Sequence, residues 1–472
     1  MLSHYLGDRP FWRVAMRLAL PIALQNMLVA SFTLVDTLMV GQLGDIPLSA
    51  VGMAGQWSWL MSMVLFGISS GASVFIAQFW GIRALNGIRR TYGIAMLSSL
   101  ILAVIFFAFG FFLPREVMLV FNREPMVVSE GADYLRIACW SYPALAITQV
   151  SGITLRGTER VKLPMYVAAF TTVANAALDY VLIFGAFGIA GMGVKGAALA
   201  TVISAWLGPV LTYAISAVQK NILIAPPKEF FGFNRYDVVE FYRRATPVIF
   251  NEGAWGLGTV VFNVIFANLG YEYYAAVTIL RTFENLAFVF FVGLCNACGI
   301  MVGKSVGSGK IARAYEDALR FAILIPLIGV VVGVAVILLR TQLVSIFNLG
   351  NNISDYTLYI AKIIMIIYAV EIPVRNLPYI FIVGIFRPGG DTVRGVKYDL
   401  LCLWLLSVPA TAIAAFVLDL PFVVCFAVMY VFEDYVKTVL CLRHFRSGRW
   451  MIPVTKEGKK GLEAYRLETG KV

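Results

Sequence analysis

Residues 18–40 read LALPIALQNMLVASFTLVDTLMV, an apolar stretch in which Asp36 is the only charged residue. An α-helix of this length crosses the hydrocarbon of a bilayer, which is about 30 Å thick. Stretches of similar length and character recur along the whole chain. The first stretch therefore predicts a membrane-spanning helix, and its repetition predicts an all-α polytopic membrane protein.

The composition excludes a water-soluble protein. Of the 472 residues, 60% are hydrophobic and 14% are charged, and the mean hydropathy is +0.81. Soluble proteins average about 45–50% apolar and about 25% charged residues. The sequence contains no phosphate-binding loop, nucleophile motif or metal-ligand spacing. We therefore expect neither an enzyme nor an ATP-driven pump, and no cofactor.

The distribution of positive charge predicts the orientation of the chain. Most of the 38 lysines and arginines fall in the two terminal tails and the even-numbered loops. Positive charge gathers on the cytoplasmic side of membrane proteins. We therefore expect a multi-pass protein of the inner or plasma membrane with both termini in the cytoplasm. The basic loops would contact anionic lipid head groups, and no nucleic acid is needed to explain them.

Hydropathy predicts twelve spans, at 18–40, 57–80, 91–113, 137–155, 163–187, 196–219, 247–268, 285–303, 321–340, 360–386, 400–418 and 421–440.

The chain carries an internal duplication. At a constant offset of 226 residues, Pro21 meets Pro247 and Gly67 meets Gly293; after a short insertion, Arg156 meets Arg387. Each half then holds six helices and starts inside, which gives two pseudo-symmetric lobes that can rock around a central cavity. This favours a transporter over an enzyme or a channel. The predicted divisions are an N-terminal lobe at 1–219, an inter-lobe loop at 220–246, a C-terminal lobe at 247–442 and a cytoplasmic tail at 443–472, charged and solvated after Lys456.

Two acidic residues lie at matching depths in the first half. Asp36 follows Pro21 by fifteen residues, and Asp179 follows Pro164 by fifteen. A carboxylate at the centre of a spanning helix is unfavourable by roughly 2.5–3.5 kcal/mol, so it usually has a partner or a function. Asn175 shares a helix face with Asp179, and Thr201 on the next helix can reach the same layer. These oxygens suit Na⁺, or a carboxyl pair that exchanges protons; the alternative is separate hydrogen-bonded groups that only fix packing.

Glu252 is a further acidic candidate, five residues into the seventh span. It could be a second protonation site or part of a gate; the alternative is a helix-end carboxylate that pairs with Arg243 or Arg244. Its repeat partner is Asn26, and the repeat partner of Asp36 is Phe262. The two halves are therefore chemically unequal.

Two motifs have structural interpretations. The stretch GISSG at 67–71 places small residues one turn apart, which predicts close helix packing. Cys295 and Cys298 form a C-x-x-C within a spanning segment that holds no other ligands, so we expect them to pack as small apolar residues.

The sequence resembles the multidrug and toxic compound extrusion (MATE) family along essentially the whole spanning region. The stretch VDTLMVGQLG at 35–44 resembles the end of that family's first-helix signature, and LRGTERVKLP at 155–164 resembles its L-R-G-x-x-x-x-K-x-P segment. The segment at 175–201 is similar to the fifth-to-sixth helix region, and GIFRPGGDT at 384–392 to the second-half counterpart.

The resemblance implies a twelve-helix, two-lobe transporter that exports lipophilic, often cationic compounds in exchange for Na⁺ or H⁺. It further implies that Asp36, Asn175, Asp179 and Thr201 form the coupling-cation pocket. NorM-like members carry a C-lobe carboxylate pair where this chain has Trp255 and Asn376. The sequence is therefore more similar to the DinF-like branch, with coupling in the N-terminal lobe.

Together these features predict a secondary antiporter that works by alternating access, a monomer whose ligands are small organic compounds, membrane lipids and either H⁺ or Na⁺. The only metal expected is Na⁺ at Asp36 and Asp179. The rival function is a flippase for lipid-linked saccharides or other lipidic substrates, which requires cationic residues that bind phosphate.

Overall fold

The computed structural model describes residues 7–346 and 354–470, apart from the side chains of residues 32, 34, 271 and 346. Helices dominate this part of the chain, and ten of them are long and apolar enough to cross a membrane. The helices of the first half are α1 (Arg9–Gly41), α2 (Asp45–Gly81), α3 (Leu85–Phe112), α4 (Pro125–Ala138 and Tyr142–Gly157, joined by the 3₁₀ turn Cys139–Ser141), α5 (Lys162–Phe184) and α6 (Val194–Gln219).

The second half repeats this order. Its helices are α7 (Arg235–Leu269), α8 (Tyr271–Gly307), α9 (Ile311–Ile346), α10 (Asp355–Gly389), α11 (Thr392–Phe416) and α12 (Phe422–Tyr430, Val431–Tyr435 and Val436–Ser447). Wider π-helical turns interrupt three of them, at Ile380–Phe386, Leu401–Ser407 and Val431–Tyr435. The predicted spans at 137–155 and 421–440 are the two that do not match one of these ten helices; they fall on α4 and α12, which are built from shorter helical segments. The predicted all-α, twelve-helix architecture is confirmed, with α4 and α12 each made of more than one helical segment.

The chain divides into two compact units. The N-terminal unit comprises residues 24–76 and 83–249, and the C-terminal unit comprises the described residues up to 23, residues 77–82 and the described residues from 250 onwards. Along the chain, the main boundary between the units falls between residues 249 and 250, just after the predicted inter-lobe loop at 220–246. The short segments before residue 24 and at 77–82 belong with the second half, a detail that a division by sequence repeat does not contain.

Small residues bring helices close together inside the N-terminal unit, as the GISSG motif predicts. A Cβ atom on Gly67 would lie 2.7 Å from the Cα of Ile249, and one on Gly71 would lie 2.5 Å from the Cβ of Ala245. These distances are too short for any larger side chain. The close approach of α2 to the start of α7 therefore requires glycine at both positions.

The C-terminal segment packs against the C-terminal unit. Trp450 is fully buried, and Gln78 joins two elements, donating from Nε2 to the Pro388 carbonyl at 2.9 Å and accepting from the Val454 amide at 2.8 Å. A further helix, Lys456–Thr469, begins at Thr455, whose side chain caps it by accepting from the Gly458 amide. The segment after Lys456 is therefore helical; it buries Gly458 and Leu462 and leaves most of its other side chains, including Leu467, exposed to solvent.

Candidate functional site

The candidate site lies within the N-terminal unit, where four helices bring polar side chains together. Asp36 belongs to α1, Asn175 and Asp179 to α5, and Thr201 to α6. Asp179 is fully buried and Asn175 is nearly so. Their predicted placement on one helix face is confirmed by a hydrogen bond of 3.1 Å, which Asn175 Nδ2 donates to Asp179 Oδ2.

The carboxyl groups of Asp36 and Asp179 contact each other directly. They lie within hydrogen-bonding range, so the depth match from the two prolines corresponds to a real meeting in space. The Oδ1 atom of each carboxyl is buried and has no hydrogen-bond donor among the described residues. Two ionised carboxylates in contact repel each other, by about 4 kcal/mol at 4 Å and an effective dielectric constant of about 20. The arrangement is stable when a proton or a cation lies between them.

Thr201 and a tyrosine complete the group. The Thr201 hydroxyl donates to the Ala197 carbonyl at 3.0 Å and is hydrogen-bonded to the hydroxyl of Tyr134 on α4. Tyr134 is 8% exposed and lies close enough to both carboxyls to interact electrostatically with them. Tyr134 lies outside the predicted fourth span, which begins at residue 137, so hydropathy gives no signal for it. The charged residues beside Tyr134 lower the local hydropathy there, although the helix begins at Pro125.

A glycine brings α5 and α6 close enough for this meeting. A Cβ atom on Gly196 would lie 2.2 Å from the carbonyl oxygen of Leu182, so only glycine allows the two helices to approach so closely. At the end of α5, Gly185 has a φ of +85°, a conformation that glycine adopts without strain. The turn between the helices thereby returns Thr201 to the level of Asp179.

An apolar cluster closes one side of the group. Val40, Ile183 and Ala197 belong to a single buried hydrophobic cluster. Each lies one helical turn from a site residue, and Tyr134 is itself part of the cluster. A cavity of about 390 Å³ in the same unit is lined by Val29 and by other residues of α1, α2, α4, α5 and α6. Leu65 belongs to both the apolar cluster and the cavity wall, and none of the site residues named above lines the cavity.

The remaining acidic candidate, Glu252, is an ion-pair partner. Arg387 Nη2 donates to Glu252 Oε1 at 2.8 Å, and the two side chains are 3% and 15% exposed respectively. The alternative partners Arg243 and Arg244 lie beside Glu240 instead. Glu252 is therefore paired, as the structural alternative expected, but the two predicted partners are wrong. Its partner is Arg387, which is distant in sequence.

Several other charges within the C-terminal unit are also paired. Glu284 pairs with Arg375, and Lys437 lies 2.9 Å from Asp399 and 3.0 Å from Glu433. The positions that carry acids in NorM-like proteins hold Trp255, which lines a cavity of about 250 Å³, and Asn376, which donates to the Ile372 carbonyl. No group of three or more histidine, cysteine or acidic side chains is placed to hold a metal ion in the described part of the chain. A cation at Asp36 and Asp179 would therefore depend on neutral oxygens such as those of Asn175 and Thr201.

These features define an integral-membrane transporter, a polytopic helical protein with a carboxyl pair held inside its spanning helices. The MatE family pattern matches residues 21–181 and 247–413, and the chain belongs to this family. Its members are transporters, so the expectation that the chain is not an enzyme is confirmed.

Two curated relatives cover most of the chain. The probable multidrug resistance protein NorM of Thermotoga maritima is 27% identical over 441 residues, 92% of each chain. The probable multidrug resistance protein YoeA of Bacillus subtilis is 25% identical over 417 residues, 86% of this chain and 87% of the relative.

Solved structures show the same fold. The Vibrio cholerae MATE transporter VcmN in its bent form superposes with a TM-score of 0.82 at 16% identity, covering 99% of each chain. A MOP superfamily transporter from Pyrococcus furiosus gives a TM-score of 0.80 at 18% identity, covering 95% of this chain and 97% of the other.

Proposed function

We propose that this protein is a secondary active antiporter of the inner or plasma membrane, with both termini in the cytoplasm. It exports lipophilic drugs and other toxic organic compounds in exchange for H⁺ or Na⁺. The observation that carries the proposal is the contact between Asp36 and Asp179, two carboxyls with no basic partner among the described residues. This contact favours coupling in the N-terminal lobe, the arrangement of the DinF-like branch.

The coupling follows from the helices that hold the pair. When a proton or Na⁺ binds, the repulsion between Asp36 and Asp179 is relieved, and α1 and α5 can pack together as they do here. When the ion leaves, the repulsion favours a different packing of α1, α5 and α6. Exchange requires that the ion and the organic substrate prefer different states. The cavity of about 390 Å³ is lined by other residues of α1, α5 and α6, so an organic substrate bound there would act on the helices that hold the pair.

The test uses purified protein in liposomes. Ethidium movement is followed under an imposed pH gradient and, separately, under an imposed Na⁺ gradient. We expect one gradient to drive dye movement in the wild type and neither to drive it in the Asp36→Asn variant. The matched control is Asp133→Asn, because Asp133 is a half-exposed carboxylate on α4 that pairs with Lys195 at 3.1 Å and should not affect coupling. Driven export that survives Asp36→Asn would refute the assignment, and a wild type that moves no dye would make lipidic substrates the next to examine.

A further inference from the structure

Arg156, near the end of α4, is a cation inside the N-terminal unit that lacks a counter-charge. Its side chain lines the cavity of about 390 Å³ described above. The Nε atom is buried with no hydrogen-bond partner, and the described chain places no carboxylate within ion-pairing distance of the guanidinium. The side chain as a whole is partly buried, and a charge that is removed from water normally has a partner, because desolvation without one is unfavourable.

The second half of the internal repeat contains an equivalent arginine with which Arg156 can be compared. The repeat partner of Arg156 is Arg387, which is buried and neutralised by Glu252 at 2.8 Å. The residue that corresponds to Glu252 in the first half is Asn26. The duplication has thus kept the arginine in both halves and placed a carboxylate beside it in the second half only.

The surroundings of Arg156 are those of a ligand site. Gln25 Oε1 and Thr148 Oγ1 also line the cavity, and both are buried polar atoms without a partner in the described structure. Gly152 lies one turn before Arg156. A Cβ atom on Gly152 would lie 4.0 Å from Arg156 Nη2, so the absence of a side chain at this position leaves that face of the guanidinium uncovered. Of the fourteen other residues in the wall, eight have apolar side chains and five carry a hydroxyl or an amide, namely Ser62, Gln149, Thr171, Ser204 and Thr212. The volume falls within the range of small-molecule pockets, which are about 300–1,000 Å³.

We propose that this cavity binds organic substrates through a carboxylate, with Arg156 as the recognising group. One unpaired positive charge matches a monoanion, and the apolar side chains of the wall suit an apolar body. Gln25, whose amide also carries N–H donors, and Thr148 lie in the same wall. The proposal rests on the proposed transport function and narrows it, because it favours anionic and zwitterionic compounds over purely cationic ones. The cavity is bounded by α1 and α5, so occupation acts on the helices that carry Asp36 and Asp179.

The test compares two dyes that differ in one group. Rhodamine 110 carries a free carboxylate, and rhodamine 123 is its methyl ester. Their dissociation constants are measured by fluorescence anisotropy with the purified protein in lipid nanodiscs, which needs no transport. A charge-assisted hydrogen bond contributes about twice as much as a neutral one. We therefore expect the wild type to bind rhodamine 110 at least tenfold more tightly than the ester.

Three variants assign that preference to its residue. Arg156→Gln should reduce the ratio of the two dissociation constants to about one, and Asn26→Glu should do the same by giving Arg156 the partner that Arg387 has. Arg160→Gln is the matched control, because Arg160 is an exposed arginine that donates to Gln219 at 3.1 Å, and the ratio should not change. If Arg156→Gln does not fold, Asn26→Glu still tests whether the unpaired charge of Arg156 causes the preference for rhodamine 110.

Two results would overturn the proposal: a wild-type ratio near one, including failure to bind rhodamine 110, or a preference that persists in both Arg156→Gln and Asn26→Glu. Gradient-driven ethidium transport is measured on the same preparations. If ethidium moves but the dye ratio is near one, the carboxylate site is wrong and the antiporter stands. If the ratio is as expected but no gradient drives ethidium, the antiport function fails and the binding site stands.

Discussion

Replacing Glu252 by glutamine should destabilise the protein measurably. The substitution leaves Arg387, whose side chain is 3% exposed, without the carboxylate at 2.8 Å. Breaking a buried ion pair by removing one partner costs about 3–5 kcal/mol. Glu252 is 15% exposed, so partial solvation places the expected value near the lower limit, about 3 kcal/mol. At about 2–4 °C per kcal/mol for a unit of this size, the unfolding midpoint should fall by about 6–12 °C.

The double variant Glu252→Gln, Arg387→Gln is the control. Removing both charges should recover most of the loss, because no buried charge remains unpaired. Thermal unfolding of the detergent-purified proteins, followed by circular dichroism, gives the midpoints. A single variant within 1 °C of the wild type, or a double variant less stable than the single, would show that the pair is not what stabilises this region. Ethidium transport retained by the double variant would also exclude Glu252 as a required protonation site.

Three further outcomes follow from the packing and the site. Gly71→Leu should abolish folding or reduce stability by more than about 2 kcal/mol, whereas Gly55→Ala, on the same helix with open space around it, should be close to neutral; yield and thermal midpoint decide. Tyr134→Phe removes the hydroxyl that bonds Thr201, and should raise the ion concentration needed for half-maximal transport several-fold without loss of fold; an unchanged ion dependence would place Tyr134 outside the coupling group. Cys295 and Cys298 are buried free thiols, so a maleimide should label them only after denaturation; labelling of the native protein would contradict their packing role.

The placement of several residues of the N-terminal candidate site can be predicted from the sequence because local geometry determines it. Asp36 and Asp179 each follow a proline by fifteen residues on helices that run in the same direction, and a fixed rise per residue converts equal spacing into equal depth. Asn175 lies four residues before Asp179, so their hydrogen bond follows from helical periodicity. The contribution of Tyr134 could not be predicted in this way, because it depends on how α4 packs against the other helices and not on spacing along one helix.

The ion pair of Glu252 in the C-terminal unit could not be predicted from the spacing of residues along the sequence. Glu252 has two arginines within ten residues along the chain, yet its partner is Arg387, which lies 135 residues away in sequence. A sequence pattern gives the neighbours along one helix, whereas an ion pair between helices depends on how they pack. The repeat relates Arg387 to Arg156 but contains no information about which acidic residue faces either. The helix Lys456–Thr469 likewise depends on contacts outside its own charged sequence.

If ion binding at Asp36 and Asp179 is coupled to substrate movement, as we propose, the coupling acts in both directions. The most direct measurement is therefore ion flux driven by substrate. Liposomes containing the protein are loaded with ethidium and diluted into dye-free buffer, and ion entry is followed with an internal pH dye or with radioactive Na⁺. We expect the ethidium gradient to drive H⁺ or Na⁺ inwards in the wild type, and no such flux in Asp36→Asn or Asp179→Asn. Ion entry that is equal in all three proteins, or ethidium efflux without any ion entry in the wild type, would contradict the account.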